Sequence, residues 1–243
     1  MANQDVKRSH IVLSAAALIA AVIAALAYVI YEEERKSTSE DPLVWEDDIR
    51  ALEEETSGPP GSFIFIGSSS IRFWSSLAQD MEPMSVVRRG FGGAKIGDAV
   101  YYAQRLVDLE KPAAIVIFVG TNDITPQNSK PPEAILESYR SLVERIRERH
   151  LNAPIYYIAI TPTPSRWTVW ATAQEANRLI ADYSSSEPTL HFIDTDEAFL
   201  VDGKPVEDFF LFDGLHLNSA GYRAWTSIIR PRLLAEIQPG NGG

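Results

Sequence analysis

The 243-residue sequence contains no cysteine, and that absence closes several routes at once. A disulfide scaffold, a zinc site built on thiolates, a cysteine nucleophile and a lipid anchor on an N-terminal cysteine are all excluded. It leaves the compartment open, because a domain of this size can be stable without bridges. Basic residues are scarce as well: 22 Lys and Arg face 33 Asp and Glu, a formal net charge of −11. Phosphate backbones are gripped by basic surfaces, so the balance argues against nucleic acid as a partner. Histidine occurs only four times, and no cluster of His, Asp and Glu has metal-ligand spacing. No metal and no cofactor is therefore expected. The sequence also lacks internal repeats and any spare insertion of lid size.

What is present is an ordinary globular composition, 45% apolar, long enough for one α/β domain and a short appendage. Residues 11–31 read IVLSAAALIAAVIAALAYVIY, free of charge. At about 1.5 Å per residue this run spans roughly 30 Å, the thickness of a hydrocarbon core. Lys7, Arg8 and His10 precede it and Glu32, Glu33 and Glu34 follow it. The expectation is a single membrane-spanning helix with its N-terminus cytoplasmic and the rest outside. Two other readings stay open. One is a signal peptide cleaved after Ala27, where Ala25-Leu26-Ala27 offers small residues; the other is a buried core helix. The expected organisation is residues 1–34 as tip and anchor, 35–60 as linker and leading helix, 61–238 as the main domain, and 239–243 as a flexible tail.

Asp41-Pro42 opens a predicted helix whose Trp45, Ile49 and Leu52 share one face, and Gly58-Pro59-Pro60-Gly61 ends it. Apolar runs follow at 63–66, 113–119, 155–160 and 190–193, with a shorter pair at Val86-Val87. Unbroken apolar runs suit parallel strands covered on both faces. Between them lie helical patterns, the clearest being Ile135, Tyr139, Leu142 and Ile146. The alternation predicts a doubly wound α/β/α sandwich with a mostly parallel, five-stranded sheet.

Open sheets of this kind bind ligands beyond the carboxyl ends of their strands. There the sequence places Gly67-Ser68-Ser69-Ser70, then Gly90-Phe91-Gly92-Gly93, then Gly120-Thr121-Asn122-Asp123, and late in the chain Asp213-Gly214-Leu215-His216. Acyl transfer needs a nucleophile, a base, a group to orient the base, and donors for an oxyanion. A serine just past a strand, a histidine with an aspartate three residues before it, a glycine-rich turn and an asparagine amide would supply them. Each signal has a plainer reading. Gly-Ser-Ser-Ser suits a helix cap, Asn122-Asp123 suits a turn, and Asp213 can cap or turn the chain before the last helix. The glycine cluster lacks the spacing of a dinucleotide loop. Trp167 and Trp170 either wall a cleft or pack a helix start, and Asn177 reads as structural.

The blocks FIFIGSSSIRFW, VVRRGFGGAKIGD, VGTNDI and FDGLHLNSAGYRAW resemble those of the SGNH/GDSL hydrolases, over about residues 42–237. They are nearest the branch that reads Gly-Ser-Ser where others read Gly-Asp-Ser, and Trp45 matches that branch's leading Trp-containing helix. The resemblance implies Ser69 as nucleophile, His216 as base and Asp213 as its orienter. Ser69, Gly93 and Asn122 would line the oxyanion hole. It implies a serine esterase acting on short acyl groups through an acyl-enzyme, without metal, and losing activity as His216 protonates. The substrate would be a small-molecule, glycan or lipid ester. Thioesterase, lysophospholipase or acyltransferase activity at the same site, or an inactive tethered binding module, are the alternatives. The sequence departs from the family blocks at Ser68, Arg88 and Ala94, where Asp, Asn and Asp are usual.

Overall fold

The computed structural model describes residues 2–55 and 58–237, the side chains of 2–17, 26 and 237 excepted. The expected tail at 239–243 lies outside them. Two compact units result, Met1–Glu40 and Asp41–Gly243.

The first unit is one helix, α1 (Ala2–Thr38). It contains residues 32–38, which the sequence assigns mostly to a solvated linker; Arg35 reaches back to Glu32 at 2.7 Å, one turn away, and supports the helix there. The expected membrane span at 11–31 gains no support. Among the described residues no helix is long and apolar enough to cross a membrane. The side chains of 11–17, part of the expected span, lie outside the description.

The second unit begins with a 3₁₀ turn, Pro42–Trp45, capped by the Asp41 carboxylate, and runs into α2 (Glu46–Glu54). There follow β1 (Phe63–Gly67), α3 (Ser69–Arg72), α4 (Leu77–Asp80), β2 (Val86–Gly90) and α5 (Ile96–Leu106). Next come β3 (Ala114–Phe118), α6 (Pro132–Arg147), β4 (Ile155–Ile158), a 3₁₀ helix at Pro164–Val169, α7 (Trp170–Ser185) and β5 (Leu190–Ile193). A two-residue ribbon, β6 (Leu200–Val201) and β7 (Lys204–Pro205), precedes α8 (Ser219–Ile237).

The five main strands form one sheet in the order β2-β1-β3-β4-β5, every pair parallel. Alternation along the strands divides the core in two. Ile64, Ile66, Ile115, Ile117 and Tyr157 point to the layer of α2, α5, α6 and α7. Phe63, Phe65, Val116, Phe118 and Ile158 point to the layer of α3, α4 and α8. This is the expected doubly wound sandwich, with apolar residues on both faces because both faces are covered. One boundary differs. Arg88 and Arg89, beyond the apolar pair Val86-Val87 read from sequence, belong to β2, opposite Phe65 and Ile66. Arg89 is buried at the sheet edge because Leu52 O accepts from its Nη1 at 2.8 Å and Asp108 lies 3.5 Å from its Nη2.

Candidate active site

Chain order 2-1-3 puts a switch point between β1 and β3, where crossovers leave in opposite directions and open a crevice. Ser69 stands at its mouth. Ser68 N–H donates to Phe118 O at 3.2 Å and Phe91 N–H donates to Gly67 O at 3.0 Å, so the end of β1 is tied to both neighbouring strands. The chain then turns into α3, with the N–H groups of Ile71 and Arg72 both reaching Ser68 O at 3.1 Å. Gly90 permits this turn to sit against β2: a Cβ there would lie 2.3 Å from Arg72 N.

Ser69 Oγ is 2.9 Å from His216 Nε2, and His216 Nδ1 is 2.7 Å from Asp213 Oδ2. The other carboxylate oxygen of Asp213 accepts from the N–H groups of Leu215 and His216, each at 2.9 Å. Burial alone would push this carboxyl up. The hydrogen bond from the imidazole and the two from the backbone outweigh that and hold it below its ordinary value. The loop closes on itself through Leu211 N–H to His216 O at 2.7 Å, and Gly214 takes a φ of +62° that a side chain would resist. Asn218 then caps α8, its Oδ1 accepting from Ala220 and Gly221 N–H. The Phe73 ring meets the imidazole edge to face at 5.2 Å.

Gly93 follows β2 and Asn122 follows β3. Asn122 donates one amide hydrogen to Ala94 O at 3.0 Å, which leaves the second free and fixes the amide's orientation. Among the described residues nothing accepts from the N–H of Ser69 or of Gly93. Asp123, read from sequence only as turn chemistry, binds the two loops together. Its Oδ2 accepts from Ile96 N–H and its Oδ1 from Lys130 Nζ, both at 2.9 Å. Burial raises its carboxyl above the ordinary value, with Lys130 opposing the shift. The five residues nominated from sequence thus lie at the carboxyl edge, Ser69, Asp213 and His216 in one hydrogen-bonded chain. Ser69 and Asn122 line one pocket, backed by Phe118, Leu217 and Trp225. No described group of His, Asp and Glu has metal-binding geometry.

The remaining nominees sort by contact. Asn177 is structural: its amide both accepts from Ile160 N–H at 2.8 Å and donates to Ile160 O at 3.0 Å, pinning the chain beyond β4. Trp170 is buried and stacks on Trp167 at 6.2 Å, while Trp167 borders a groove with Pro164, Lys204, Pro205 and Glu207. Ser68 is buried, and Arg88 donates to Trp74 O at 3.2 Å. Given no role from sequence were Thr121 and Arg166, which line a second pocket. Thr121 lies within the VGTNDI block but drew no role there, Arg166 lies outside every block, and only the folded chain brings the two together.

The fold has many solved counterparts. A candidate platelet activating factor from Streptococcus pneumonia matches with TM-score 0.68 at 20% identity, over 88% of this chain and 99% of its own. A GDSL-like lipase from Bacteroides thetaiotaomicron matches with TM-score 0.63 at 17% identity, over 80% and 98%. A carbohydrate esterase family 3 protein from Talaromyces cellulolyticus gives 0.57 at 18%, over 72% and 98%. At these identities the likeness speaks for the fold alone. No curated protein matches the sequence. The family model described as GDSL-like lipase/acylhydrolase matches residues 58–224, and this span holds all four strand-end loops described above. By that match the chain belongs to the GDSL-like lipase/acylhydrolase family.

Proposed function

We propose that this GDSL-like hydrolase cleaves short-chain carboxylic esters through an acyl-enzyme on Ser69. The observation that carries the reading is the continuous chain from Ser69 Oγ through the imidazole to Asp213, at 2.9 and 2.7 Å. Ser69 Oγ attacks the carbonyl carbon while His216 Nε2 takes its proton. Negative charge moves to the carbonyl oxygen, where the N–H groups of Ser69 and Gly93 and the free amide hydrogen of Asn122 receive it. Asp213, held ionised, keeps the Nδ1–H tautomer and stabilises the imidazolium. The C–O bond then breaks, His216 returns the proton to the departing alcohol, and water repeats the sequence to release the acid and free Ser69. The narrow room between Ser69 and Phe118, Leu217 and Trp225 favours a short acyl chain.

Ser69→Ala is expected to lower kcat at least about 10³-fold with the fold retained, and to abolish stoichiometric labelling by an organophosphonate. Full activity and labelling in that variant, with loss in Ser68→Ala or Ser70→Ala, would move the nucleophile by one residue. Turnover falling steeply beyond four to six acyl carbons would support the short-chain assignment; flat turnover to twelve would refute it.

A further inference from the structure

The 3₁₀ helix Pro164–Val169 lies against the loop that carries Asp213 and His216. Ser165 N–H donates to Gly214 O at 3.0 Å, and a Cβ on Gly214 would come within 3.1 Å of Pro164 Cβ. Thr163 caps the helix through its Oγ1, which accepts from Arg166 N–H at 3.3 Å. The Arg166 side chain lines a pocket with Thr121, Ile124, Thr161, Val169 and Trp170. Thr121 and Thr161 also line the pocket that holds Ser69, so the two pockets adjoin.

Arg166 is unusual among the inward-facing cations. Arg89 has Asp108 and the Leu52 carbonyl, and Arg147 has the carbonyls of His150 and Ala153 and the hydroxyl of Thr189. No described carboxylate pairs with Arg166, and its Nε is buried with no acceptor. In the same pocket lining, the Thr121 hydroxyl is also buried and unpartnered, the residue being 8% exposed. Burial lowers the pKa of the guanidinium, and no neighbouring charge opposes the shift. A buried guanidinium nitrogen and a buried hydroxyl, both unsatisfied and on residues lining one pocket, cost stability, which a matching anion would offset. The apolar walls from Ile124, Val169 and Trp170 strengthen any such contact by excluding water.

We infer that Arg166 and Thr121 form a subsite for an anionic oxygen group, carboxylate or phosphate, carried by the ester substrate. The inference rests on the hydrolase reading of Ser69 and adds a substrate class to it. A planar guanidinium can meet such a group with two parallel hydrogen bonds, and the Thr121 hydroxyl can donate a third. The net charge of −11 repels anions at long range, so recognition is left to this local contact.

The test compares initial rates of the full chain on two matched pairs. Ethyl hydrogen succinate against ethyl butyrate puts the charge on the acyl side; para-acetoxybenzoate against phenyl acetate puts it on the alcohol side. The charged member of one pair is expected to be favoured about tenfold or more in kcat/KM. That ratio is expected to fall towards one in Arg166→Gln and to recover partly in Arg166→Lys. Loss of all turnover on the neutral esters by the natural chain would be a failure of the hydrolase reading. Neutral turnover without charged preference in either pair overturns the subsite alone. Since Arg166→Gln can fail to fold, the natural chain is also titrated with inorganic phosphate and with succinate during phenyl acetate hydrolysis. Competitive inhibition at millimolar concentration by either, and not by neutral butanediol, supports the subsite and identifies the anion. Indifference to both anions up to about 50 mM overturns it.

Discussion

Asn122 shows what a single side chain contributes when its neighbours fix it. With one amide hydrogen held by Ala94 O at 3.0 Å, the amide cannot rotate away as charge develops on the substrate. On the proposed mechanism its remaining hydrogen gains most in the transition state, so Asn122→Ala is expected to lower kcat roughly 10²–10³-fold while KM changes little. Steady-state kinetics separates this from a ground-state contact, which would appear in KM. The placement of Ser69, Gly93, Asn122, Asp213 and His216 at the carboxyl edge of the sheet was legible in the sequence because each sits in a short block after a strand or before the last helix. Asp123 and Arg166 were not. Asp123 matters through bonds to Ile96 and Lys130, and Arg166 through the lack of a partner, and neither property exists along the chain.

At the scale of elements, the position of α3 decides where Ser69 points. The helix has only four residues and little stability of its own, so its placement is set by β1, β2 and β3. Gly90 is the point of closest approach. A Cβ there would stand 2.3 Å from Arg72 N and 2.8 Å from Ile71 C, backbone atoms that cannot swing aside. Gly90→Ala is therefore expected to push α3 outward and cost about 10²-fold in kcat, since displacements near 1 Å carry penalties of that size. Rates measured beside a thermal melt would check it, and unchanged kcat would show that α3 yields without moving Ser69. The strands themselves were readable as apolar runs because both sheet faces are covered. The continuation of β2 through Arg88 and Arg89 was not, because charged residues are tolerated there only by partners distant in the chain: Trp74 O for Arg88, Leu52 O and Asp108 for Arg89.

For the second unit as a whole, pH is a lever on stability through Asp196. Burial first, and the nearby charge of Asp194 second, raise its carboxyl from 3.8 to about 7, against the hydrogen bond from Asn177. Its folded form prefers the proton, so the stability this residue allows is present at low pH. It is lost as pH rises from the unfolded value towards about 7. Asp196→Asn is accordingly expected to raise Tm at pH 8 by several degrees, on the order of 2 kcal/mol, and by clearly less at pH 5. Melts at the two pH values decide it; an equal shift at both would assign the gain to packing. The sandwich architecture of this unit was legible in outline, since its alternation of strand and helix patterns is long and regular. The N-terminal unit was read less well. Hydropathy registered the uncharged run of 11–31 but not that a single helix continues through the charged turn to Thr38.

Ser69 and His216 are 147 positions apart, yet their side chains meet at 2.9 Å. A chain made from its N-terminus carries its serine through the synthesis of β2, β3, β4 and β5 before the histidine exists. Until α8 has been made and docked, Ser69 is an ordinary alcohol, held in position but without a base. On the proposed mechanism, an activated Ser69 is thus a late product of biosynthesis, and a nascent or truncated chain ending before Asp213 would lack the base to acylate itself on the esters around it.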